Sequence, residues 1–296
     1  MELKFDNNRS RVKYCPCGKS NKDGKFSPFK GFENKGKCFS CDEVFFPDKE
    51  NNGVVHYTPP PKVYEYPLIE SGHLEASLSN YENNNFVKFL RKIFGSYTAK
   101  ELIEEYNIGT YGEATIFWQV DHNMNIRTGS IMDYNPETGK RQRQGVPRWV
   151  HKKLSLENIK TCLFGLHLIS ETDRPIAIVE SEKTAIIMCF LMPNYVWLAT
   201  GGKSGLNKEK MKHIINKKVV LFPDQGCYND WDAKANELGL SYEISADCEI
   251  WYKKGIIAKS DDIADYYLNT YKTFVKCDQW SEKEYNETFN NQIKIN

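Results

Sequence analysis

Two acidic residues stand where short apolar runs stop: Glu180 closes Ile176-Ala177-Ile178-Val179, and Asp224 follows the run Lys218–Phe222. Carboxylates at the ends of neighbouring strands would converge on one pocket. A hard cation such as Mg2+ is held in this way, through a few carboxylates and waters. Asp230 and Asp232 follow shortly and could complete the set, and Asp261, Asp262 and Asp265 form a third acidic group. Taken singly, each aspartate reads equally well as a helix cap or a surface charge. Their joint placement favours a metal site.

A second constellation is sulfur-based. Cys15 and Cys17 form one close pair, Cys38 and Cys41 another, with twenty residues between the pairs. Four thiolates from two tight turns suit tetrahedral zinc, and a module of about fifty residues with a thin core needs such a staple. The first pair has one intervening residue where two is usual, so His56 stands in reserve as a ligand. A redox pair is the alternative. The other five cysteines (Cys162, Cys189, Cys227, Cys248 and Cys277) are scattered and read as structural.

Gly201-Gly202-Lys203-Ser204-Gly205 contains a GKS triplet, but position 197, where a phosphate-binding P-loop needs its first glycine, is Trp197. The Walker A reading therefore fails. A Gly-rich turn there still opens backbone N–H groups to a phosphate.

These residues need elements to hold them. Residues 1–50 are expected to form a zinc ribbon, and residues 51–80 a Pro-rich extended linker through Pro59-Pro60-Pro61. Phe86, Phe89, Leu90, Ile93 and Phe94 recur at helical spacing, and Thr98 with Glu101 is a capping-box signal for a second helix. Ala114–Val120 and Ile126–Tyr134 predict strands joined by a turn at 121–125, and 135–139 predicts another turn. From Arg174 the rhythm becomes strand–helix alternation. Strands are expected at 176–180, 195–199, 218–222 and 247–251, with helices around 183–191, 207–215, 230–238 and 261–268. That order predicts an open parallel α/β sheet, whose ligands gather beyond the carboxyl ends of its strands.

The whole chain is thus expected to be α+β: a small ribbon, a linker, a mixed α+β basic subdomain over 81–170, an α/β domain over 171–275 and a tail over 276–296. Its 296 residues, 40% hydrophobic and 27% charged, suit a globular protein. No apolar run reaches the roughly 18 residues of a membrane span, and the first residues lack a secretory signal's apolar core. A cytoplasmic location and no membrane partner are the expectations.

The net charge of +1 hides an asymmetry. Arg9–Lys37 carries nine Lys/Arg against two acids, Asn123–Lys160 eight against three, and Asp224–Asp278 six against eleven. A basic front and an acidic rear fit a phosphate-tracking surface joined to a metal site. Arg127, Lys140, Arg141, Arg143, Arg148 and Lys152 lie in the second basic stretch. In the ribbon, Phe26, Phe29, Phe32 and Phe39 alternate with Lys25, Lys30, Lys35 and Lys37, a composition that can stack bases and hold phosphates. At least two of these rings belong to the ribbon's own core.

The order of parts resembles that of bacterial DNA primases, with a zinc ribbon, a basic subdomain and a topoisomerase-primase (TOPRIM) domain. Lys25–Phe29 and Gly36–Cys41 are similar to the primase zinc module. Thr115–Gly129, Pro147–Lys153 and Cys162–Ile169 resemble segments of the primase core. Ile178–Ala185, Trp197–Gly202 and Val219–Gly226 are similar to the TOPRIM glutamate motif, its Gly-turn and its Asp-x-Asp motif. The wording looks closer still to TOPRIM/primase-like proteins of Bacteroidota and their mobile elements. The departures are Gly226 at the second Asp-x-Asp position and a ribbon without the usual histidine ligand.

The resemblance implies primer synthesis on a single-stranded DNA template from nucleoside triphosphates, with structural Zn2+ and catalytic Mg2+ or Mn2+. It implies Asp224, with Asp230 or Asp232, as metal ligands and Glu180 as ligand or general acid/base. Lys183 and Lys203 become phosphate contacts, and the basic residues above a grip on the template. A replicative helicase or relaxase of a mobile element is an implied partner. The alternatives are a non-catalytic DNA-binding accessory, favoured by Gly226, and a metal-dependent nuclease.

Overall fold

The computed structural model describes residues 3–47, 66–142, 148–170, 173–259 and 261–276. The chain divides into two compact units, Met1–Glu65 and Tyr66–Asn296. His56, Pro59–Pro61, Arg143 and Cys277 lie outside the described residues, as do most of the expected linker and tail.

In the first unit, strands β1 (Phe26–Pro28), β2 (Gly36–Cys38) and β3 (Val44–Phe45) form an antiparallel sheet in that order. Its core is Val12, Cys15, Phe26 and Cys38, with Cys17, Cys41 and Phe45 packed against it. Apolar burial is thus small, and a buried amide reinforces it. The Asn21 side chain donates to the carbonyls of Arg9 (2.8 Å), Val12 (3.0 Å) and Phe26 (3.2 Å) and accepts from the Phe26 N–H (2.6 Å). Two of these bonds hold the segment 9–12 and two hold Phe26 at the start of β1, so the one amide ties both to the loop at Asn21.

The second unit begins earlier than the expected linker boundary, because residues 71–77 form helix α1 (Ser71–Ser77). Helix α2 (Asn85–Glu105) is capped by Asn84, whose side chain accepts from the N–H groups of Phe86 and Val87. It breaks at Gly95, with φ 83° and ψ 167°. Thr98 lies buried inside the second segment, so the expected capping box is not where that segment starts.

Strands β4 (Ile108–Tyr111), β5 (Ala114–Val120), β6 (Ile126–Tyr134), β7 (Arg141–Gln142) and β8 (Arg148–Trp149) form an antiparallel sheet. Its order is β4-β5-β6-β7, with β8 also on β6. Short helix α3 (Val150–Lys153) follows.

The parallel sheet comprises β9 (Ile176–Val179), β10 (Val196–Ala199), β11 (Lys218–Leu221) and β12 (Ser241–Ile244), in the order β10-β9-β11-β12. Between and after the strands lie α4 (Glu182–Leu191), α5 (Lys208–Met211), α6 (Tyr228–Leu238), α7 (Asp247–Lys253) and α8 (Ile263–Lys276). Period-2 geometry divides the strands between two cores. Ile176 and Ile178 enter one core, with Leu198, Leu221 and Trp231. Ala177 and Val179 enter the other, with Trp197, Val220 and the aromatic face of α2. Both faces are covered, as a parallel sheet requires.

Asp247–Trp251 is helix α7, not the expected fourth strand, which is Ser241–Ile244. Gly239, at φ 68°, ends α6 and releases the chain into that strand. The Ser245 hydroxyl then accepts the Asp247 N–H, and Asp247 and Glu249 supply the acidic first turn a helix favours. The helix expected over 207–215 contracts to Lys208–Met211. No helix among the described residues is long and apolar enough to cross a membrane.

Candidate metal and phosphate site

Parallel pairing sets the site. Leu221 lies beside Ile178 in register, and the Phe222 N–H donates to the Ile178 carbonyl (2.9 Å). Glu180 and Asp224 therefore leave the sheet at the same end. The Gly201 N–H donates to the Glu180 carbonyl (2.9 Å), which brings the Gly-rich turn to that end as well.

Glu180 is 8% exposed, and its Oε1 is buried without a hydrogen-bond partner. A buried, unsatisfied carboxylate oxygen calls for an explanation, and a cation is the simplest. Asp224 is half-buried, and its carboxyl is pushed from 3.8 up to about 8. Loss of water is the first cause, followed by the charges of Asp262 and Glu180; Lys183 opposes them and Asp265 adds to them. Asp262 and Asp265 cap α8 reciprocally, each N–H donating to the other's carboxylate (3.2 and 3.0 Å). The Thr184 hydroxyl donates to Asp262 Oδ2 (2.6 Å), tying that cap to α4.

Lys183 enters the pocket from the first turn of α4, with its side chain 15% exposed and its Nζ 3.6 Å from Asp265. Burial opposes its charge, but Asp262, Asp265 and Asp224 hold its ammonium above the usual lysine range. The pocket thus sets four carboxyl groups against one buried ammonium, a deficit of positive charge that a divalent cation would fill.

Asp224 carries a pH signature. Its folded value of about 8 lies above its ordinary 3.8, so the folded protein binds the extra proton. The stability this confers is complete below pH 4 and is lost as pH rises through 8. In melts without divalent cation, Asp224→Asn is expected to flatten that decline between pH 5 and 9. An unchanged pH slope would contradict this electrostatic account.

Asp230 and Asp232, the partners expected for Asp224, are engaged elsewhere. Asp230 ion-pairs with Lys203, and Asp232 Oδ1 accepts from the Tyr242 hydroxyl (2.6 Å). Helical geometry on α6 turns them toward the neighbouring loop and β12, while α8, remote in sequence, supplies the acids that act on Asp224. Lys203 remains near the rim, where Asp230 first, then Cys227, and more weakly Glu180 raise its basicity.

Three residues at the site escape sequence reasoning. Glu182, 2% exposed, accepts from the Ser130 hydroxyl of β6 (3.0 Å), and burial pushes its carboxyl up. Lys210 donates to the Thr200 carbonyl beside the Gly-turn (2.6 Å), and burial pushes its ammonium down despite Glu182. Glu182 reads in sequence as an ordinary first-turn acid and Lys210 as a surface lysine. The third is Cys227, which as a scattered cysteine reads as structural. Burial first, and the Glu180 carboxylate second, push its thiol up to about 12.

The basic residues fare unevenly. Arg127 donates from Nε (2.7 Å) to Asp121, with a second nitrogen at 2.6 Å; Asp121 is buried and also accepts from the Asn123 and Asn125 N–H groups. Arg127, where the sequence expects a phosphate contact, thus serves the β5–β6 turn. Removing one partner of a buried pair strands the other charge. Arg127→Ala is therefore expected to destabilise the protein by about 3–5 kcal/mol. Urea unfolding would test this, and a loss below about 1 kcal/mol, as for an exposed pair, would refute it. Lys140, Arg141 and Lys152 are exposed, and the side chains of Arg143 and Arg148 lie outside the described residues.

In the ribbon, one ligand atom from each of Cys15, Cys17, Cys38 and Cys41 lies within 4.8 Å of the others. Among the described residues this is the only such gathering of three or more ligand atoms. Sulfurs around zinc stand about 3.8 Å apart, given Zn–S bonds of about 2.3 Å. Burial opposes ionisation of Cys38, yet hydrogen bonds from Cys15 and the Cys41 and Ser40 backbone hold its thiol down at about 7. Burial and the neighbouring thiols push Cys15 and Cys41 up. Four sulfurs gathered this closely fit Zn2+, which on binding would displace the thiol protons. Phe26 and Phe29 are buried, while Phe39 is exposed between Arg9 (5.6 Å) and Lys37 (5.2 Å).

Residues 84–225, just under half of the chain, match a family model described as "Domain of unknown function (DUF6371)". No curated protein matches the sequence. Among solved structures, the chain is similar to the primase fragment of the bacteriophage T7 primase-helicase protein. The identity is 16% and the TM-score 0.41, over 94% of this chain and 100% of that one. It is also similar to the DnaG catalytic core, at 12% identity and a TM-score of 0.35, over 75% of this chain and 72% of that one.

Proposed function

We propose that this chain is a primase-like, TOPRIM-type nucleotidyltransferase that joins nucleoside triphosphates on a single-stranded DNA template with the help of Mg2+ or Mn2+. The observation that carries the reading is Glu180, buried with Oε1 unpartnered, leaving a parallel sheet at the same carboxyl end as Asp224. Carboxyl groups crowded so closely that Asp224 is pushed toward its protonated form have a use where a cation and a triphosphate meet.

Glu180, Asp224 and Asp262 would hold the cation, which when bound neutralises charge on the reacting phosphates. Their oxygens are not drawn into one tight cage, which suits an ion that keeps several waters. Lys183, anchored by Asp265, offers a buried positive charge to the same phosphates. The N–H groups of the Gly201–Gly202 turn, braced by Lys210 through Thr200, can approach a phosphate closely. Exposed Arg141, Lys140 and Lys152 supply sequence-independent backbone contacts, and Phe39 with its two flanking cations offers a stacking face for a base. Zn2+ on the four cysteines holds the ribbon. The setting is the cytoplasm, in replication or transfer of a mobile element, with a helicase or relaxase as partner.

Gly226 favours a second reading, a DNA-binding accessory without catalysis, because a carboxylate is missing where catalysts of this type carry one. Incubating the protein with labelled single-stranded DNA, nucleotides and Mn2+ separates the readings. New oligonucleotides support synthesis, cleavage of the template indicates a nuclease, and a mobility shift alone leaves the accessory role.

A further inference from the structure

The acidic pocket contains a sulfur atom that a site for hard cations does not need. Cys227 is the residue preceding α6, held there by its N–H to the Asp224 carbonyl (3.0 Å). A residue in that position commonly caps the helix, yet the Cys227 side chain makes no capping hydrogen bond. Its thiol is half-buried, and after burial the Glu180 carboxylate is the neighbour that acts on it most strongly.

The independent sign of a ligand is Glu180 itself: more than nine-tenths buried, with Oε1 closed off from solvent and lacking any partner. Thiolate and carboxylate together are the donor set of borderline and soft divalent cations, which gain more from sulfur than Mg2+ does. Cys227, Glu180 and Asp224 are not among the ligand sets already drawn within 4.8 Å, so binding would close the set. Rotation about the cysteine's single side-chain torsion can redirect the sulfur.

We infer that Cys227 joins Glu180 and Asp224 in a second, thiophilic metal site that takes Zn2+ or Cd2+ in preference to Mg2+. The inference rests on the proposed cation pocket and adds to it a choice of ion. Binding replaces the thiol proton by the metal and releases that proton to the buffer. Excess Zn2+ would then compete with Mg2+ at the pocket and inhibit whatever chemistry Mg2+ supports there.

The test uses the full chain with its ribbon loaded. Cadmium chloride is titrated while cadmium NMR separates a tetrathiolate resonance from one with a single sulfur and oxygens, and Mn2+ binding is followed in parallel by electron paramagnetic resonance. The wild type is expected to show the mixed-ligand resonance. Cys227→Ser and Cys227→Ala should both lose it and weaken Cd2+ binding at that site by about tenfold or more, since even residues that only brace a ligand produce such losses. Mn2+ binding should survive both substitutions. Unchanged Cd2+ binding in the two variants, with Mn2+ bound, would overturn this inference alone. If the wild type binds neither ion outside the ribbon, the cation pocket falls with it.

Discussion

Glu180→Gln is expected to reduce metal-dependent nucleotide incorporation by about 100- to 1,000-fold, the loss typical of removing one preorganised electrostatic group from a reaction centre. The substitution keeps the side chain's size and removes its charge. Glu180 is 8% exposed with one oxygen unpartnered, so there is little packing to lose. The fold should therefore survive, and the apo protein should become slightly more stable, because a like charge beside Asp224 is gone. The two effects run in opposite directions, which separates a site residue from a structural one. NMR titration gives a further check: the Asp224 carboxyl should titrate lower in the variant, since Glu180 is among the charges that raise it. Activity within a few-fold of wild type would remove Glu180 from the chemistry.

The second large effect concerns the ribbon. Zinc binding to modules of this size is worth about 10–16 kcal/mol at neutral pH, far more than the apolar core here can supply. Two of the four residues in that core, Cys15 and Cys38, belong to the four-cysteine cluster itself. Cys38→Ser, or chelation of the wild type, should abolish cooperative folding of residues 3–47. Collapse of amide NMR dispersion for those residues and rapid proteolysis within them would report it. The second unit has its own cores and should melt as before. A ribbon that keeps dispersed resonances after losing its metal would show that Asn21 and the phenylalanines suffice.

Elements with a strong local signal were legible in the sequence. The hairpin of β5 and β6 follows from two β-rich runs around a polar turn, and β9, β10 and β11 from short apolar runs between helical stretches. Asp247–Trp251 misleads because its apolar residues fit either period over so short a span. Only the Ser245 hydroxyl and the acidic first turn decide for helix. The strand Ser241–Ile244 is an edge strand with alternating exposure, so it lacks the apolar run that marks its neighbours.

At the site, Glu180, Asp224 and Lys183 are readable because each sits at or just after a strand end. Asp230 and Asp232 are near Asp224 in sequence, whereas charge acts through space and brings in Asp262 and Asp265. Arg127 shows the same lesson in reverse: its positive charge is visible in the sequence, and the buried Asp121 that consumes it is not. Cys227 gives no signal in the sequence because a lone cysteine carries no spacing pattern, and its neighbour Glu180 follows a strand remote in the chain.

Gly226 closes off one evolutionary route. Its φ of 82° suits glycine, and its N–H donates to Glu249 Oε1 (2.5 Å). An aspartate introduced there would meet open space but would carry about 1–2 kcal/mol of left-handed strain. A single codon change therefore does not recreate the absent carboxylate at no cost. Variation that sharpens this pocket is more readily accommodated at the start of α8, where Asp262 and Asp265 already act on Asp224.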